Sequence, residues 1–195
     1  MPRIIFLFLL VVAVGAQDAK FEIPGATIKY EVKSSSITGT RLVAFDYDKK
    51  LMRIEVNYTV KGKAGTDNEV FIMRNDTIFQ LDLEEKTFMN VSKSQQSEHF
   101  PWVESQMVFS QGKNLGVEMI KNLQTNVWIA SADKYWIHKG LILKKSVTET
   151  QGRNTYDLAK LDLNVPSEDN FTIPRDFKEV EDPMSAFLDD LFGDD

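Results

Sequence analysis

Four Asn-x-Ser/Thr triplets are the most specific chemical pattern in this sequence: Asn57-Tyr58-Thr59, Asn75-Asp76-Thr77, Asn90-Val91-Ser92 and Asn170-Phe171-Thr172. Each sets a carboxamide nitrogen two residues before a hydroxyl, the acceptor arrangement for N-linked glycan transfer in a secretory pathway. With ten asparagines, and Ser or Thr at roughly an eighth of all positions, chance alone yields about one such triplet. Asn57, Asn75, Asn90 and Asn170 are therefore expected glycosylation sites; in a bacterial chain the same sequons would be idle.

Catalytic and metal chemistry find far less to work with. There is no cysteine, hence no thiolate nucleophile and no thiolate metal cluster, and the two histidines, His99 and His138, are too few for a multi-histidine site. No Gly-x-Ser-x-Gly elbow, phosphate-binding glycine loop or His-Glu-x-x-His pair occurs. Acidic neighbours exist at Asp46 and Asp48, Glu84 and Glu85, and Asp189 and Asp190. Carboxylate catalysis needs two groups in one cleft with separated pKa values, and these pairs fall at turns or in the tail. Asp46-Tyr47-Asp48 also lacks the glycine and distal glutamate of a calcium loop. The expectation is a non-enzyme with no catalytic residue, no metal and no cofactor.

The elements that carry these residues read as strands. Met52, Ile54, Val56, Tyr58 and Val60 alternate with Arg53, Glu55, Asn57 and Thr59, the period of a half-buried antiparallel strand. Ile28, Tyr30 and Val32, and then Val43, Phe45 and Tyr47, repeat the pattern, with turns at Asp48-Lys49-Lys50 and Asn75-Asp76. Further strands are predicted at Glu69–Asn75, Thr77–Leu83, Thr87–Ser92, Gln106–Ser110, Gln124–Ala132 and Leu141–Thr150. A turn at Gln151-Gly152-Arg153-Asn154 then leads to a strand over Thr155–Val165. In that last strand the apolar set changes parity between Leu158 and Leu161, which a β-bulge near Ala159-Lys160 would correct. Helix is predicted only around Leu115, Met119, Ile120 and Leu123, and at the end, where Met184, Phe187, Leu188, Leu191 and Phe192 follow Pro183 at helical spacing. The fold class is mostly β, a curved antiparallel sheet forming a half-barrel, with one or two short helices and a C-terminal amphipathic acidic helix.

Residues 1–16 have the layout of a cleavable secretory signal: Arg3, the apolar run Ile4–Val14, then small residues up to Ala16. That run is too short to span a bilayer, which needs roughly 20 apolar residues. Residues 17–178 then form one domain and 179–195 an acidic amphipathic tail. Residues 166–195 hold ten acidic groups against Arg175 and Lys178, leaving a near-neutral body without the basic stripe that nucleic acid would require.

Several segments, in this order, resemble secreted ependymin-related proteins and the wider LolA/LppX-like half-barrel superfamily. They are Phe45-Asp46-Tyr47, Arg53-Ile54-Glu55, Val70-Phe71-Ile72, Thr77 to Asp82, Val127-Trp128-Ile129, Leu141 to Lys145 and Asn170 to Phe177. The resemblance implies a curved sheet around a hydrophobic cup that binds lipid or another amphiphile. The chain departs from ependymin-type members in having no cysteine for disulfides. The cup residues are expected to come from one strand parity: Met52, Ile54, Val56 and Tyr58, joined by Phe71, Met73 and Trp128. Such a face either packs itself shut or leaves an apolar cavity.

Two functions follow as expectations. The first is a secreted, extracellular glycoprotein that binds a lipid or amphiphile; the second is a structural or adhesive protein, of matrix or a developing tissue, that uses the barrel only as scaffold. The tail residues Phe187, Leu188, Leu191 and Phe192 would dock on the sheet, solubilise the chain, or capture an extracellular protein partner. No partner nucleic acid and no membrane span are expected.

Overall fold

Alternating residues and turns of two to six residues fold most of this chain into consecutive hairpins. The computed structural model describes residues 21–75, 77–91, 100–149 and 152–181. The signal-like segment, His99 and the C-terminal apolar stripe lie outside the described residues. Six strands come first: β1 (Gly25–Lys33), β2 (Ile37–Asp46), β3 (Leu51–Val60), β4 (Asp67–Arg74), β5 (Thr77–Asp82) and β6 (Thr87–Asn90). Helix α1 (Pro101–Gln111) follows. Then come β7 (Lys113–Ile120), β8 (Leu123–Ala130), β9 (Asp133–His138), β10 (Leu141–Glu149), β11 (Gly152–Asp162), a 3-10 turn over Glu168–Phe171, and β12 (Lys178–Glu179).

All described strands belong to one open, curved sheet in the order β12-β6-β5-β4-β3-β2-β1-β11-β10-β9-β8-β7, a half-barrel. Every pairing is antiparallel except the short parallel contact of β12 with β6. The sheet is thus two meanders, β1–β6 and β7–β11, joined where β1 meets β11. At that junction Lys29 pairs with Lys160 and Tyr30 with Leu158, so Ala159 is the extra residue of the bulge that the parity change predicted.

Helix α1 packs on the inner face of the sheet against β8 and β10. On that face Ile28, Tyr30, Val32, Val43, Phe45, Met52, Ile54, Met73 and Ile78 form the main core with Phe100, Leu143, Tyr156 and Leu158. The outer face carries a smaller cluster in which Val70, Ile72 and Leu81 pack with Phe79 and Phe88. A returning strap covers it through Ile173 and Phe177. Arg74 anchors this strap by donating from Nε and Nη2 to the Phe171 carbonyl at 3.0 and 2.8 Å, with the Phe171 side chain fully buried.

Three expectations are corrected. Gln106–Ser110 is not a strand but the second half of α1, which Pro101 starts and Gly112 ends by donating its N–H to the Val108 carbonyl at 2.7 Å. The buried face of α1 is Pro101, Ser105 and Val108, so a serine at its centre hides the helical period. The helix expected from Leu115 to Leu123 is instead the β7–β8 hairpin: Leu115, Val117 and Met119 also alternate, and Lys121 (φ 45°) and Asn122 (φ 66°) make a tight turn of type I′ form. The turn expected at Gln151–Asn154 is shorter, because β10 and β11 stay paired down to Glu149 and Gly152. Arg153 extends the pairing by donating to the Ser146 hydroxyl and carbonyl.

On the outer face of β9 the Trp136 indole N–H donates to Glu118 Oε2 at 2.6 Å, with Lys134 and Lys144 on its ring at 4.4 and 5.1 Å. Chiefly this hydrogen bond, aided by Lys134, holds the Glu118 carboxyl below its ordinary pKa. A depressed carboxylate pKa contributes stability that is present above the unfolded value and is lost as pH falls through the folded one. We expect the Trp136 environment, followed by near-UV circular dichroism, to change only below the usual carboxylate range. Glu118→Gln should abolish that transition; its persistence in the variant would assign it elsewhere.

Candidate ligand-binding site

Among the described residues, one cavity lies under α1 and another beside it. Under the helix, Tyr30, Arg41, Val43, Pro101, Glu104, Ile142, Lys145 and Tyr156 enclose a pocket of about 20 Å³, room for about one water molecule. β1, β2, β10 and β11 bring the polar groups here because Tyr30 pairs with Arg41 and Leu158, and Tyr156 with Val32 and Lys145. Lys145 Nζ lies 2.6 Å from Glu104 Oε1 and 4.8 Å from the Tyr156 ring centroid. The Tyr30 hydroxyl donates to the Ile142 carbonyl at 2.6 Å, and burial, then Glu104, drives its pKa well above the ordinary phenol value.

Arg41 is the odd group in this pocket. Burial opposes its charge, but Glu104 and the surrounding tyrosines outweigh that and hold its pKa above normal. Its guanidinium lies 5.9 Å from the Tyr156 ring, and its Nε has no hydrogen-bond partner among the described residues. The pocket is therefore a small charged inclusion in an apolar core. Nearby Tyr135 is pushed up to about 12 by burial and then by Glu104 and Asp133.

The second cavity is larger and open. Phe21, Tyr47, Trp102, Val103, Gln106, Met107 and Ser110 line a mainly apolar groove of about 380 Å³ at the rim of the half-barrel. One wall is aromatic: Phe21 lies 5.1 Å from Tyr47 and 6.2 Å from Trp102, and Trp102 stacks on Phe100 at 4.8 Å. The other wall is the outward flank of α1, where Met107 is 42% exposed. Gly140 (φ 86°) sets Phe21 in place, since a Cβ there would lie 2.6 Å from the Phe21 Cα. This volume falls within the range of small-molecule sites.

The sequence-predicted cup residues share the inner face but not this groove. Met52, Ile54 and Met73 are buried core, and Val56, Tyr58 and Phe71 pack against it half-buried. Trp128 sits in a separate cluster with Val108, Ile137 and Ile142, its ring 5.3 Å from Phe109. None of the seven lines either cavity. The groove residues were missed because α1 was read as part strand, because Tyr47, read as the end of a strand, lies just past β2, and because Phe21 precedes β1. Asn57, Asn75, Asn90 and Asn170 are all exposed. His138 Nδ1 lies 2.8 Å from the Gln124 carbonyl, a hairpin contact. Among the described residues no group of three or more metal-ligating side chains forms, and no helix is long and apolar enough to cross a membrane.

No protein-family model and no curated protein matches this sequence. Among solved structures it is similar to an uncharacterized conserved protein from Thermus thermophilus, with a TM-score of 0.56, 9% identity, and 82% of this chain and 91% of that one covered. This likeness shows the fold. Looser matches are LprF from Mycobacterium bovis (TM-score 0.43, 12% identity, 78% and 90% covered) and the Mycobacterium tuberculosis lipoprotein LppX (0.41, 15%, 76% and 93%).

Proposed function

We propose that this chain is a secreted, non-enzymatic glycoprotein that binds a lipid or other single-chain amphiphile in the groove beside α1. The observation that carries the reading is the groove itself: about 380 Å³, aromatic on one side, aliphatic on the other, with Gln106 and Ser110 as polar points on its helical wall. Its contents would be an acyl or similar chain rather than a flat polar metabolite, because few hydrogen-bonding groups converge there. The signal-like N-terminus supports secretion, and the exposure of all four sequon asparagines supports glycosylation. The sequence resemblance to secreted ependymin-related and LolA/LppX-like proteins supports the amphiphile class.

The test uses a fluorescent fatty-acid probe and two variants. Met107→Trp fills the groove and is expected to weaken probe binding at least tenfold, while Leu83→Trp, an exposed site away from the groove, is expected to leave it unchanged. No binding by the unmodified protein, or equal binding by Met107→Trp, would overturn the reading.

One observation favours the alternative of a structural or adhesive extracellular protein. Helix α1 packs on the half-barrel's inner face, and the pocket that the described residues enclose beneath it holds about 20 Å³. On that reading the glycans and the acidic tail make the contacts. Native mass spectrometry of protein from its own secretory system separates the two: copurifying lipid supports the first, its absence the second.

A further inference from the structure

We propose that the edge strand β7 pairs with β7 of a second copy of this chain, antiparallel and centred on Val117, so that the protein forms a weak symmetric dimer. The pairing makes no use of the groove beside α1, so each of the two readings can fail without the other.

Among the described residues β7 is the long unpaired edge of the sheet. Every residue from Lys113 to Met119 is exposed, including Leu115 (52%), Val117 (56%) and Met119 (62%). Which of its backbone groups are free follows from the turn to β8. A two-residue turn joins Ile120 to Leu123, and such a hairpin closes on a pair that exchanges both backbone hydrogen bonds. Alternation then turns Glu118 toward β8 as well, and the Thr125 hydroxyl donates to the Glu118 carbonyl at 2.7 Å. Val117 and Met119 therefore aim their N–H and C=O groups away from β8, out of the sheet. Edges of this kind are commonly blunted by lysine or proline. The run from Leu115 to Ile120 contains neither, and the bulge at Leu115 bounds this edge without covering it.

The register identifies the occupant. With a two-fold axis at Val117, Val117 meets Val117 of the second copy and Met119 meets Leu115, apolar against apolar, while Glu118 meets Gly116, which has no side chain to oppose it. An axis at Gly116 would instead set Met119 against Lys113. An axis at Glu118 would set two carboxylates directly opposite, which is destabilising. Lys121, which the Val117 register brings toward Lys113 of the second copy, is held on the Ala159 carbonyl. The strand is thus complementary to itself in one alignment.

Topology limits the assembly to two. The other edge of the sheet is β12, a strand of two residues, too short to receive β7, so head-to-tail growth has no acceptor. The paired stretch runs only from Leu115 to Met119 on each copy, which puts the contact at the low end of specific interfaces, below about 1,200 Å². Such a dimer dissociates on dilution.

Sedimentation velocity of the full chain across a range of concentrations is therefore expected to show a monomer–dimer equilibrium. Val117→Lys sets like charges opposite each other at the axis and is expected to weaken dimerisation at least tenfold, as is Val117→Glu. Mixing these two variants should restore a dimer that contains one of each, because opposite charges then face each other. Leu83→Lys, at an exposed site between β5 and β6, should leave the equilibrium of the unmodified chain unchanged. A chain that stays monomeric at every concentration, a dimer that survives Val117→Lys, or a mixture of the two Val117 variants that stays monomeric would overturn the proposal. Since misfolded variants could not rescue each other, the mixing experiment reads the pairing and not the folding.

Discussion

Glu104→Gln is expected to cost about 3–5 kcal/mol of folding stability, whereas Arg41→Met should change it by less than about 1 kcal/mol. Both residues line the pocket beneath α1, but they play opposite parts. Glu104 is the carboxylate that Lys145 contacts at 2.6 Å, and its charge is what offsets the burial of Arg41. Removing it leaves two cations facing Tyr156 with no counter-charge, the costly way to break a buried pair. Arg41 by contrast leaves its Nε unpaired, so a methionine loses a ring contact at 5.9 Å while relieving an unmet donor. Because the Glu104 and Lys145 side chains retain 26% and 14% exposure, the lower half of the range is the better guide. Urea denaturation with the slope checked for constancy measures both. A larger loss for Arg41→Met than for Glu104→Gln would show that the pocket is organised around the arginine instead.

Phe171→Ala should be comparably severe, about 3–5 kcal/mol, although its segment has almost no regular structure. Its ring is 1% exposed and fixes the strap against β3 and β4. The carbonyl of the same residue takes both Arg74 hydrogen bonds, so ring and backbone anchor one point from two directions. Losing the ring should loosen Ile173 and Phe177 from Val70, Ile72 and Leu81 and open the strap to limited proteolysis. Arg74→Met is expected to cost about 1.5–3 kcal/mol, as charged hydrogen bonds do. The double variant should cost less than the two together, since one anchor cannot be lost twice. Full additivity would mean that the ring and the guanidinium act independently.

What the sequence made legible was the half of the molecule built from plain alternation. β1 and the start of β3 follow apolar parity closely, and even the bulge at Ala159 could be read from a parity change, because there the inner face is the buried one. The second meander was harder. β9 went unread because Lys134, Tyr135, Trp136, Ile137 and His138 bury neighbours on both faces. Its turns are Ser131-Ala132 and Lys139-Gly140, not the Asn-Gly pair that announces a hairpin. α1 escaped because a buried serine replaces an apolar residue in its stripe. Since the groove needs α1, Phe21 and Tyr47 together, an error in one element hid the whole site. Six of the predicted cup residues share the core of the inner face, but the groove forms at the rim, beside a helix that the sequence did not announce.

The junction of the two meanders also fixes an order of events in time. Within each meander, strand pairs join residues close in sequence, but β1 meets β11 through partners such as Thr27 and Asp162, near opposite ends of the chain. Such contacts form late, because the long intervening chain must be closed before they reward it. A nascent chain would therefore finish β1–β6 while the free edge of β1 still waits, from Gly25 to Lys33, for a strand not yet made. The closing step is a zipper with a single permitted alignment: only the slip at Ala159 lets Leu158 and Leu161 both face inward. Maturation of this protein is, on that account, the completion of one seam.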